Sequence, residues 1–209
     1  MPGKLAIVFD LDGTLVDSLD DILDTFLATF EELGGEPPER GAVRALVGRP
    51  LDEMYAGFVP AQRLGTYVAA YRERYRRHLA NKTRPYPGVV DLLSELGERG
   101  YARLVATTKR SATANELVEA VGLADYVDHV QGTDGFPHKP APDVILRALA
   151  TADAHGTWMV GDTTSDIVAG RAAGLKTFGV TWGTHDAATL AAARPDAVEP
   201  TIGPLLLLL

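Results

Sequence analysis

The 209-residue sequence contains no cysteine. Disulfide bonds, thiolate metal sites and a cysteine nucleophile are therefore excluded. Basic residues are also in deficit, since 20 Lys and Arg stand against 28 Asp and Glu, which gives a net charge of −8. A negatively charged protein without a basic stripe is a poor candidate for binding the phosphate backbone of nucleic acids. We therefore expect no nucleic-acid partner.

We also expect no secretory leader, and the sequence has no long apolar run. The amino terminus leads directly into a short apolar segment that ends in an acid, which is not the pattern of a signal peptide. The leucine run at 205–209 is far too short to span a bilayer. We expect it to form a last helical turn or strand, or to contact another subunit. The sequence predicts a cytoplasmic protein with no membrane partner, either a monomer or a homodimer.

The composition that remains is that of an ordinary globular protein. Hydrophobic residues make up 46% of the chain and charged residues 23%, which excludes a disordered chain. The length allows one medium-sized domain with an inserted smaller one.

Two acids follow a buried-strand pattern near the amino terminus. Residues 4–9 read Lys-Leu-Ala-Ile-Val-Phe, and Asp10, Asp12 and Gly13 come next. Residues two apart on an extended backbone point the same way, so the two carboxylates repel each other unless a metal ion or a cationic ligand compensates. Taken alone, the pair also fits a turn that leads into a helix. A calcium loop is excluded, because its sixth position would be Leu15 instead of glycine.

The chain divides into a helical segment and an alternating one. Residues 17–83 show helical spacing of apolar residues and no strand pattern. Strand-like runs then alternate with helical segments, at 103–107, 126–131, 157–160 and 176–180. Alternation of this kind predicts a parallel sheet with helices on both faces. We predict an α/β fold, with a doubly wound, Rossmann-like core formed by residues 1–16 and 84–209 and an α-helical domain of residues 17–83 inserted into it.

Capping residues mark the predicted helix boundaries. Asp17 or Ser18 is expected to cap the first helix, and Ser111 a later one. The pair Pro142-Asp143 is typical of a helix amino terminus.

Polar side chains stand where the predicted strands end. Asp10 and Asp12 follow the first strand, and further groups occur at Thr107-Thr108, at Lys139 and at Asp162 with Asp166. Singly, Thr107 fits a helix cap, Lys139 a solvated loop lysine, and the two later acids a helix amino terminus. Ligands bind at the carboxyl ends of parallel strands, so together these residues indicate one site.

In this order the segments resemble the four sequence motifs of the haloacid dehalogenase superfamily. The resemblance spans nearly the whole chain and is carried by Asp10-Leu11-Asp12-Gly13-Thr14, Thr107, Lys139-Pro140 and Gly161-Asp162-x-x-x-Asp166. The inserted helical segment resembles the mobile cap of that family. Two further segments, Asp17-Ser18 and Tyr86-Pro87-Gly88-Val89, resemble its phosphoglycolate phosphatase branch.

The resemblance implies a role for each residue. It makes Asp10 the nucleophile and Asp12 the general acid and base. Thr107 and Lys139 are expected to hold the phosphoryl oxygens, and Thr108 beside them is a further candidate for binding the substrate. Mg²⁺ is the implied cofactor, and its ligand set is expected to be Asp10, Asp12, Asp162 and, through water, Asp166.

The implied activity is hydrolysis of a small phosphate monoester through an aspartyl-phosphate intermediate, with 2-phosphoglycolate as the leading substrate. An acid at position 12 favours a phosphatase over the dehalogenases and transport ATPases of the superfamily, which lack it. Ile22 stands where the sugar-phosphate mutases usually carry a histidine, which counts against a mutase. A pyrophosphatase, a nucleotide phosphatase and a sugar-phosphate phosphatase remain alternatives. A non-catalytic binding module is less favoured because every catalytic position is filled.

Substrate choice depends on features outside the four motifs. Arg49 lies between Gly48 and Pro50 and is held on a shaped loop, where it could pair with a second anionic group of the substrate. The alternative is a solvated surface arginine. The segment 132–138 before Lys139 is shorter than the branch's pattern, so its part in substrate choice stays open.

Overall fold

The computed structural model describes residues 3–209. Its strands are β1 (Lys4–Phe9), β2 (Val16–Asp17), β3 (Arg84–Pro85), β4 (Ala102–Ala106), β5 (His129–Gln131), β6 (Ala154–Gly161), β7 (Lys176–Val180) and β8 (Ala197–Glu199). Its helices are α1 (Leu19–Glu32), α2 (Arg40–Arg44), α3 (Leu51–Ala56), α4 (Ala61–Arg77), α5 (Val89–Glu98), α6 (Ser111–Ala120), α7 (Asp143–Thr151), α8 (Thr164–Ala172) and α9 (Ala187–Ala192). Short 3-10 helices span Ala124–Tyr126 and Gly203–Leu207.

A six-stranded sheet in the order β5-β4-β1-β6-β7-β8 forms the centre of the protein, and all its strand pairs are parallel. From β1 the chain proceeds to β4 and β5 on one side and returns to β6, β7 and β8 on the other. The order therefore reverses at β1, and a crevice at the carboxyl ends of the strands is expected at such a reversal. This topology confirms the predicted doubly wound sheet.

Side chains of β1 alternate between the two faces of the sheet, as the period of a strand requires. Ile7 and Phe9 pack in the cluster that includes α5 and α6, whereas Ala6 and Val8 pack in the cluster that includes α7 and α8. All four side chains are fully buried. A strand covered on both faces explains why this segment is continuously apolar.

Helices α1 to α4 enclose a second, separate hydrophobic core. It is rich in aromatic rings, and Phe26 stacks on Tyr55 with ring centroids 4.0 Å apart. The chain enters and leaves this helical segment through the antiparallel pair β2–β3. These crossings fall at the predicted limits of residue 16 and residue 84, and the division into a core and a cap of residues 17–83 stays a prediction. Within residues 3–209, no helix is both long enough and apolar enough to cross a membrane.

The two predicted serine caps have different outcomes. Ser18 is the N-cap residue of α1, as predicted, but its hydroxyl makes no capping hydrogen bond and donates to Asp12 Oδ1 at 2.5 Å. Ser111 is the first residue of α6 instead of its cap, and its hydroxyl accepts the N–H of Gly132 at 3.0 Å. Each serine therefore joins two separate segments of the chain.

Three other predictions are refined by the structure. The predicted strand at 126–131 is limited to His129–Gln131, because residues 124–126 form a 3-10 turn. The terminal leucine run does form a helical turn, in which Leu205 is buried and Leu207 is 88% exposed. Helix α9 and strand β8 are additional elements, since no element was predicted between β7 and the terminal leucine run.

Asp21 ties helix α1 to the segment that leaves the helical insertion. Its carboxylate is buried and accepts the backbone N–H groups of Lys82 and Thr83, at 2.9 and 2.8 Å, and the Thr83 hydroxyl at 2.7 Å. A buried donor that loses its partner carries the cost of desolvation. Asp21 therefore stabilises the junction between the two parts of the chain.

We predict that Asp21→Ala lowers the free energy of unfolding by about 3 kcal/mol, since several buried donors lose a charged acceptor together. Urea unfolding followed by circular dichroism measures the change. Asp20→Ala is the matched control, because Asp20 is an exposed neighbour that contacts Arg40 on the surface, and it should change stability by less than about 0.5 kcal/mol. Equal effects of the two variants would contradict a special role for Asp21.

Candidate active site

Three buried carboxylates meet at the carboxyl ends of β1 and β6. Asp10 follows β1, Asp162 follows β6, and Asp166 lies in the first turn of α8. One oxygen from each lies within 4.8 Å of the others. Asp166 is held by a capping box, in which the Thr163 N–H donates to its Oδ2 at 2.9 Å while the Thr163 hydroxyl accepts the Asp166 N–H. The ends of two strands and the capping box of α8 therefore fix the positions of the three carboxylates.

Gly13 makes the close approach of the first and last motifs possible. Its φ is +88°, in the left-handed region, and a Cβ there would collide with the Asp162 carboxylate. The next residue, Thr14, donates its hydroxyl to Asp162 Oδ1 at 2.9 Å. On the other side, the N–H of Thr184 donates to Asp162 Oδ2 at 2.7 Å. A glycine is therefore required for space as well as for conformation.

Lys139 supplies the positive charge inside this cluster. Its Nζ lies 2.6 Å from Asp10 Oδ1, 2.6 Å from Asp166 Oδ1 and 3.0 Å from the carbonyl oxygen of Ala106. The side chain is only 3% exposed. A buried ammonium needs such partners, since an unpaired charge in the interior is very costly. The alternative of a solvated loop lysine is therefore wrong.

The pKa values of these groups follow from burial and from their neighbours. Burial raises the pKa of Asp10 well above its usual range, and the Lys139 charge only partly offsets this. Burial, followed by the negative charge of Asp166, raises the pKa of Asp162 to about 6. Burial alone would lower the pKa of Lys139, but the carboxylates of Asp10 and Asp166 outweigh it and raise that pKa. Lys139 is therefore cationic at neutral pH.

The cluster fits a divalent cation. Three carboxylates and one ammonium leave an excess of negative charge in a buried site, and carboxylate oxygens are the ligands that hard cations prefer. The donors of such a site would be Asp10, Asp162 and Asp166. The side chain of Asp12, which was predicted as a fourth metal ligand, does not join this cluster.

Asp12 lies beside the cluster and pairs with a different cationic side chain, that of Lys109. Lys109 Nζ contacts both of its carboxylate oxygens, at 2.7 and 2.8 Å, and Ser18 donates to Oδ1. Lys109 also lies under helix α4, with its Nζ 4.7 Å from the centroid of the Tyr75 ring. Sequence reasoning missed Lys109, although it stands two residues after Thr107 at the end of β4. This position at the end of a strand was the sequence signal that could have identified Lys109 as a site residue.

Thr107 and Thr108 differ in their access to the site. Thr107 is 1% exposed, and its hydroxyl accepts the N–H of Lys109 at 3.2 Å. It therefore shapes the turn after β4, and it does not cap α6, which begins at Ser111. Thr108 lines the cavity above the cluster, whereas Thr107 is not among the lining residues.

A cavity of about 470 Å³ lies between the sheet edge and helices α1 to α4. Its floor includes Asp10, Asp12, Lys139 and Asp166. The helical side contributes Ile22, Met54, Val68, Tyr71 and Tyr75, and cationic side chains are contributed by Arg49, Arg72, Lys109 and Arg110. Arg49 is exposed and lies in the loop between α2 and α3, as predicted. The cavity thus combines an acidic floor, an apolar wall and several cations.

The fold and the site together define a class, a hydrolase with a doubly wound core and an acid cluster at the carboxyl end of its first strand. A family model described as "Haloacid dehalogenase-like hydrolase" matches residues 7–180. The chain belongs to this family of enzymes.

Relatives of similar length cover nearly all of the chain. A "Probable phosphatase IndB" of Dickeya dadantii is 38% identical over 95% of this chain and 90% of its own. A "Phosphoglycolate phosphatase" of Neisseria gonorrhoeae is 34% identical, with 92% and 88% covered, and a "Pyrophosphatase PpaX" of Bacillus velezensis is 33% identical, with 96% and 94% covered. A solved haloacid dehalogenase-like family protein of Streptococcus pneumoniae superposes with a TM-score of 0.87 at 32% identity, over 98% and 96% of the two chains.

We predict that the cluster binds a divalent cation more tightly as the pH rises from 5 to 7. Without a metal, the folded protein keeps a proton on Asp162 between its ordinary pKa of 3.8 and about 6, and the unfolded chain has lost it. The free energy of unfolding therefore falls as the pH rises through this window. A cation must displace the same proton, so its affinity should fall up to about tenfold per pH unit below the folded pKa.

Isothermal titration calorimetry with Mg²⁺ as the probe ion, in buffers of different ionisation enthalpy, measures both the affinity and the proton released. Asp162→Asn should reduce the proton release, whereas Asp186→Asn, an exposed helix cap in the same half of the chain, should leave it unchanged. A Mg²⁺ affinity that does not change between pH 5 and 7 would contradict the titration of this cluster.

Proposed function

We propose that this protein is a Mg²⁺-dependent phosphatase that hydrolyses small phosphate monoesters through an aspartyl-phosphate intermediate. One observation carries the proposal. Asp10 lies at the floor of the cavity with the Lys139 ammonium 2.6 Å from its carboxylate, and a second acid, Asp12, lies on the same floor with a separate cation. A nucleophile and a proton donor are therefore available side by side.

The proposed first step is attack of an Asp10 carboxylate oxygen on phosphorus. The bond from phosphorus to the ester oxygen breaks, and Asp12 gives that oxygen a proton so that it leaves as an alcohol. In the second step a water oxygen attacks phosphorus and the acyl-phosphate bond breaks. Asp12 takes the water's proton, which releases inorganic phosphate and restores both acids.

Two groups lower the electrostatic cost of these steps. The ammonium of Lys139 faces Asp10 and so lies where a phosphoryl oxygen would approach. Bound Mg²⁺ would neutralise negative charge on the carboxylates and the phosphoryl group, which phosphoryl transfer requires more than covalent assistance. The burial of the cluster strengthens both effects, because the surrounding dielectric is low.

The leading substrate is 2-phosphoglycolate, supported by relatives that carry the name phosphoglycolate phosphatase. Arg49 on the rim of the cavity could pair with its carboxylate. Relatives named pyrophosphatase support inorganic pyrophosphate as an alternative, and nucleotide and sugar phosphates remain further ones. Ile22 lines the cavity but cannot transfer a proton, which counts against a mutase.

The test of the chemistry is release of phosphate from an aryl phosphate, with Mg²⁺ and with a chelator. We predict that activity requires Mg²⁺ and that Asp10→Asn abolishes it, because an amide fills the same space but cannot attack phosphorus. Asp20→Asn is the matched control and should retain the rate of the wild type. Turnover by Asp10→Asn at the rate of the wild type would remove Asp10 from the role of nucleophile.

We predict a different defect for Asp12→Asn. Without a base to take the water's proton, hydrolysis of the intermediate should slow, so a protein-bound phosphate that is labile to base should accumulate or turnover should stop. Quenched-flow labelling with ³²P-labelled substrate measures the intermediate. An unchanged steady-state rate would contradict the acid–base role.

We predict that Arg49→Ala raises KM for 2-phosphoglycolate about tenfold or more, since a charged hydrogen bond is worth roughly 1.5–3 kcal/mol. It should barely change kcat/KM for an aryl phosphate whose aryl group is uncharged, because that leaving group has no anion for Arg49 to pair with. Arg44→Ala, a neighbouring arginine outside this cavity, is the control. Equal losses on both substrates would mean that Arg49 supports folding or closure and does not recognise the leaving group.

A further inference from the structure

The arginines of the protein fall into two groups. Most make an ion pair, a hydrogen bond or a contact with an aromatic ring, as Arg74 does with Glu32 and Arg76 with Glu116. Among residues 3–209, the arginine side chains with none of these contacts are Arg44, Arg49, Arg72, Arg110 and Arg194. Three of these five line the cavity that contains Asp10. Unpaired guanidinium groups are thus concentrated at the candidate active site.

Two of them face the cavity from opposite sides. Arg72 lies on helix α4 in the helical insertion, and Arg110 lies in the loop between β4 and α6 in the core. Arg72 is half-buried, whereas Arg110 is exposed. A substrate in the cavity would therefore pass between a cation of the insertion and a cation of the core.

The two charges are close enough to affect each other. The pKa of Arg72 is lowered, first by burial and then by the positive charge of Arg110, while Asp52 opposes the shift. Asp52 also lines the cavity, but it forms no ion pair with either arginine. Two like charges without a direct acidic partner are unfavourable unless an anion binds between them.

Helix α6 begins directly after Arg110 and places Thr113 on the cavity wall. The N–H of Ser111, its first residue, already faces the Asp134 carboxylate at 3.3 Å, which offsets the positive end of this helix. The positive charge at this point is therefore supplied by the two guanidinium groups.

We propose that Arg72 and Arg110 form a binding subsite for a second oxyanion, a carboxylate or a phosphate, at the far end of a leaving group longer than that of 2-phosphoglycolate, whose single carboxylate is assigned to Arg49. The inference rests on the proposed function, because the first phosphate is assigned to Asp10 and Lys139. The cavity of about 470 Å³ lies within the range of roughly 300–1,000 Å³ that is typical of sites for larger ligands. The substrate class is then a phosphate monoester with a second anionic end. Such a ligand would link α4 to the core through one molecule.

Binding of substrate analogues that cannot be hydrolysed tests the subsite without turnover. Alkyl monophosphonates are compared with alkane bisphosphonates and with carboxyalkyl phosphonates of equal chain length, over a series of lengths, by calorimetry in the presence of Mg²⁺. The proteins are the wild type, Arg72→Met, Arg110→Met and the control Arg74→Met. Arg74 is on the same helix as Arg72 but is paired with Glu32 outside the cavity.

For the wild type and the control, a ligand with two anionic groups and the best chain length should bind at least about tenfold more tightly than its monophosphonate, a difference of about 1.4 kcal/mol. Comparing the carboxylate series with the bisphosphonates identifies the preferred oxyanion. In Arg72→Met and in Arg110→Met the ratio of the two Kd values should fall close to one. Arg110 is exposed, so its variant decides the question if Arg72→Met does not fold.

A ratio near one in the wild type at every chain length would overturn the subsite, as would an unchanged ratio in both variants. These results differ from a failure of the proposed function. If no phosphate ester is hydrolysed but the ratio holds, the phosphatase is wrong and the subsite stands. If aryl phosphate is hydrolysed but the ratio is one, only the subsite is wrong.

Discussion

The ion pairs of Lys139 with Asp10 and Asp166 are the interaction on which the rest of the site depends. They bring one ammonium into a pocket of buried carboxylates, with both contacts at 2.6 Å. Burial works against every charge in this group, so each is retained only because its partner is close. The loop of Lys139, the end of β1 and the first turn of α8 are consequently fixed relative to one another. The remaining excess of negative charge favours the binding of a cation in this pocket.

Much of the fold and of the acid cluster could be predicted from the sequence, because the cluster is built from only a few strands and helices. A continuous apolar run predicts a strand buried on both faces, and parallel strands bring their carboxyl ends to one edge. Asp10 and Asp162 follow such strands directly, and Asp166 stands one helical turn further on. Their meeting is therefore a consequence of sheet topology, and the fold class and the cluster followed from the same reasoning.

The features that escaped prediction depend on contacts between distant segments. The role of Lys109 depends on the folded structure, in which helix α4 and Asp12 lie on either side of its side chain. Ser18 and Ser111 have the residue type of a helix cap, but a partner elsewhere in the fold offers each hydroxyl a better hydrogen bond. The sequence pattern of one segment indicates which local hydrogen bonds that segment favours. Where two such hydrogen bonds are similar in strength, contacts with distant segments decide which one forms. Arg72 and Arg110 likewise become neighbours only across the cavity.

Under the proposed function, chemistry and substrate choice are carried by different parts of the molecule. The acids and Lys139 belong to the sheet edge, and any phosphate ester presents them with the same phosphoryl group. Arg49 and Arg72 belong to the helical insertion, and Arg110 to a loop of the core, so they can change without disturbing the cluster. Relatives about equally similar to this chain can therefore carry the names of phosphoglycolate phosphatase and pyrophosphatase. Under the proposed function, the arginines that line the cavity would contact the part of the substrate that differs between these activities, so they are the positions to compare before overall identity.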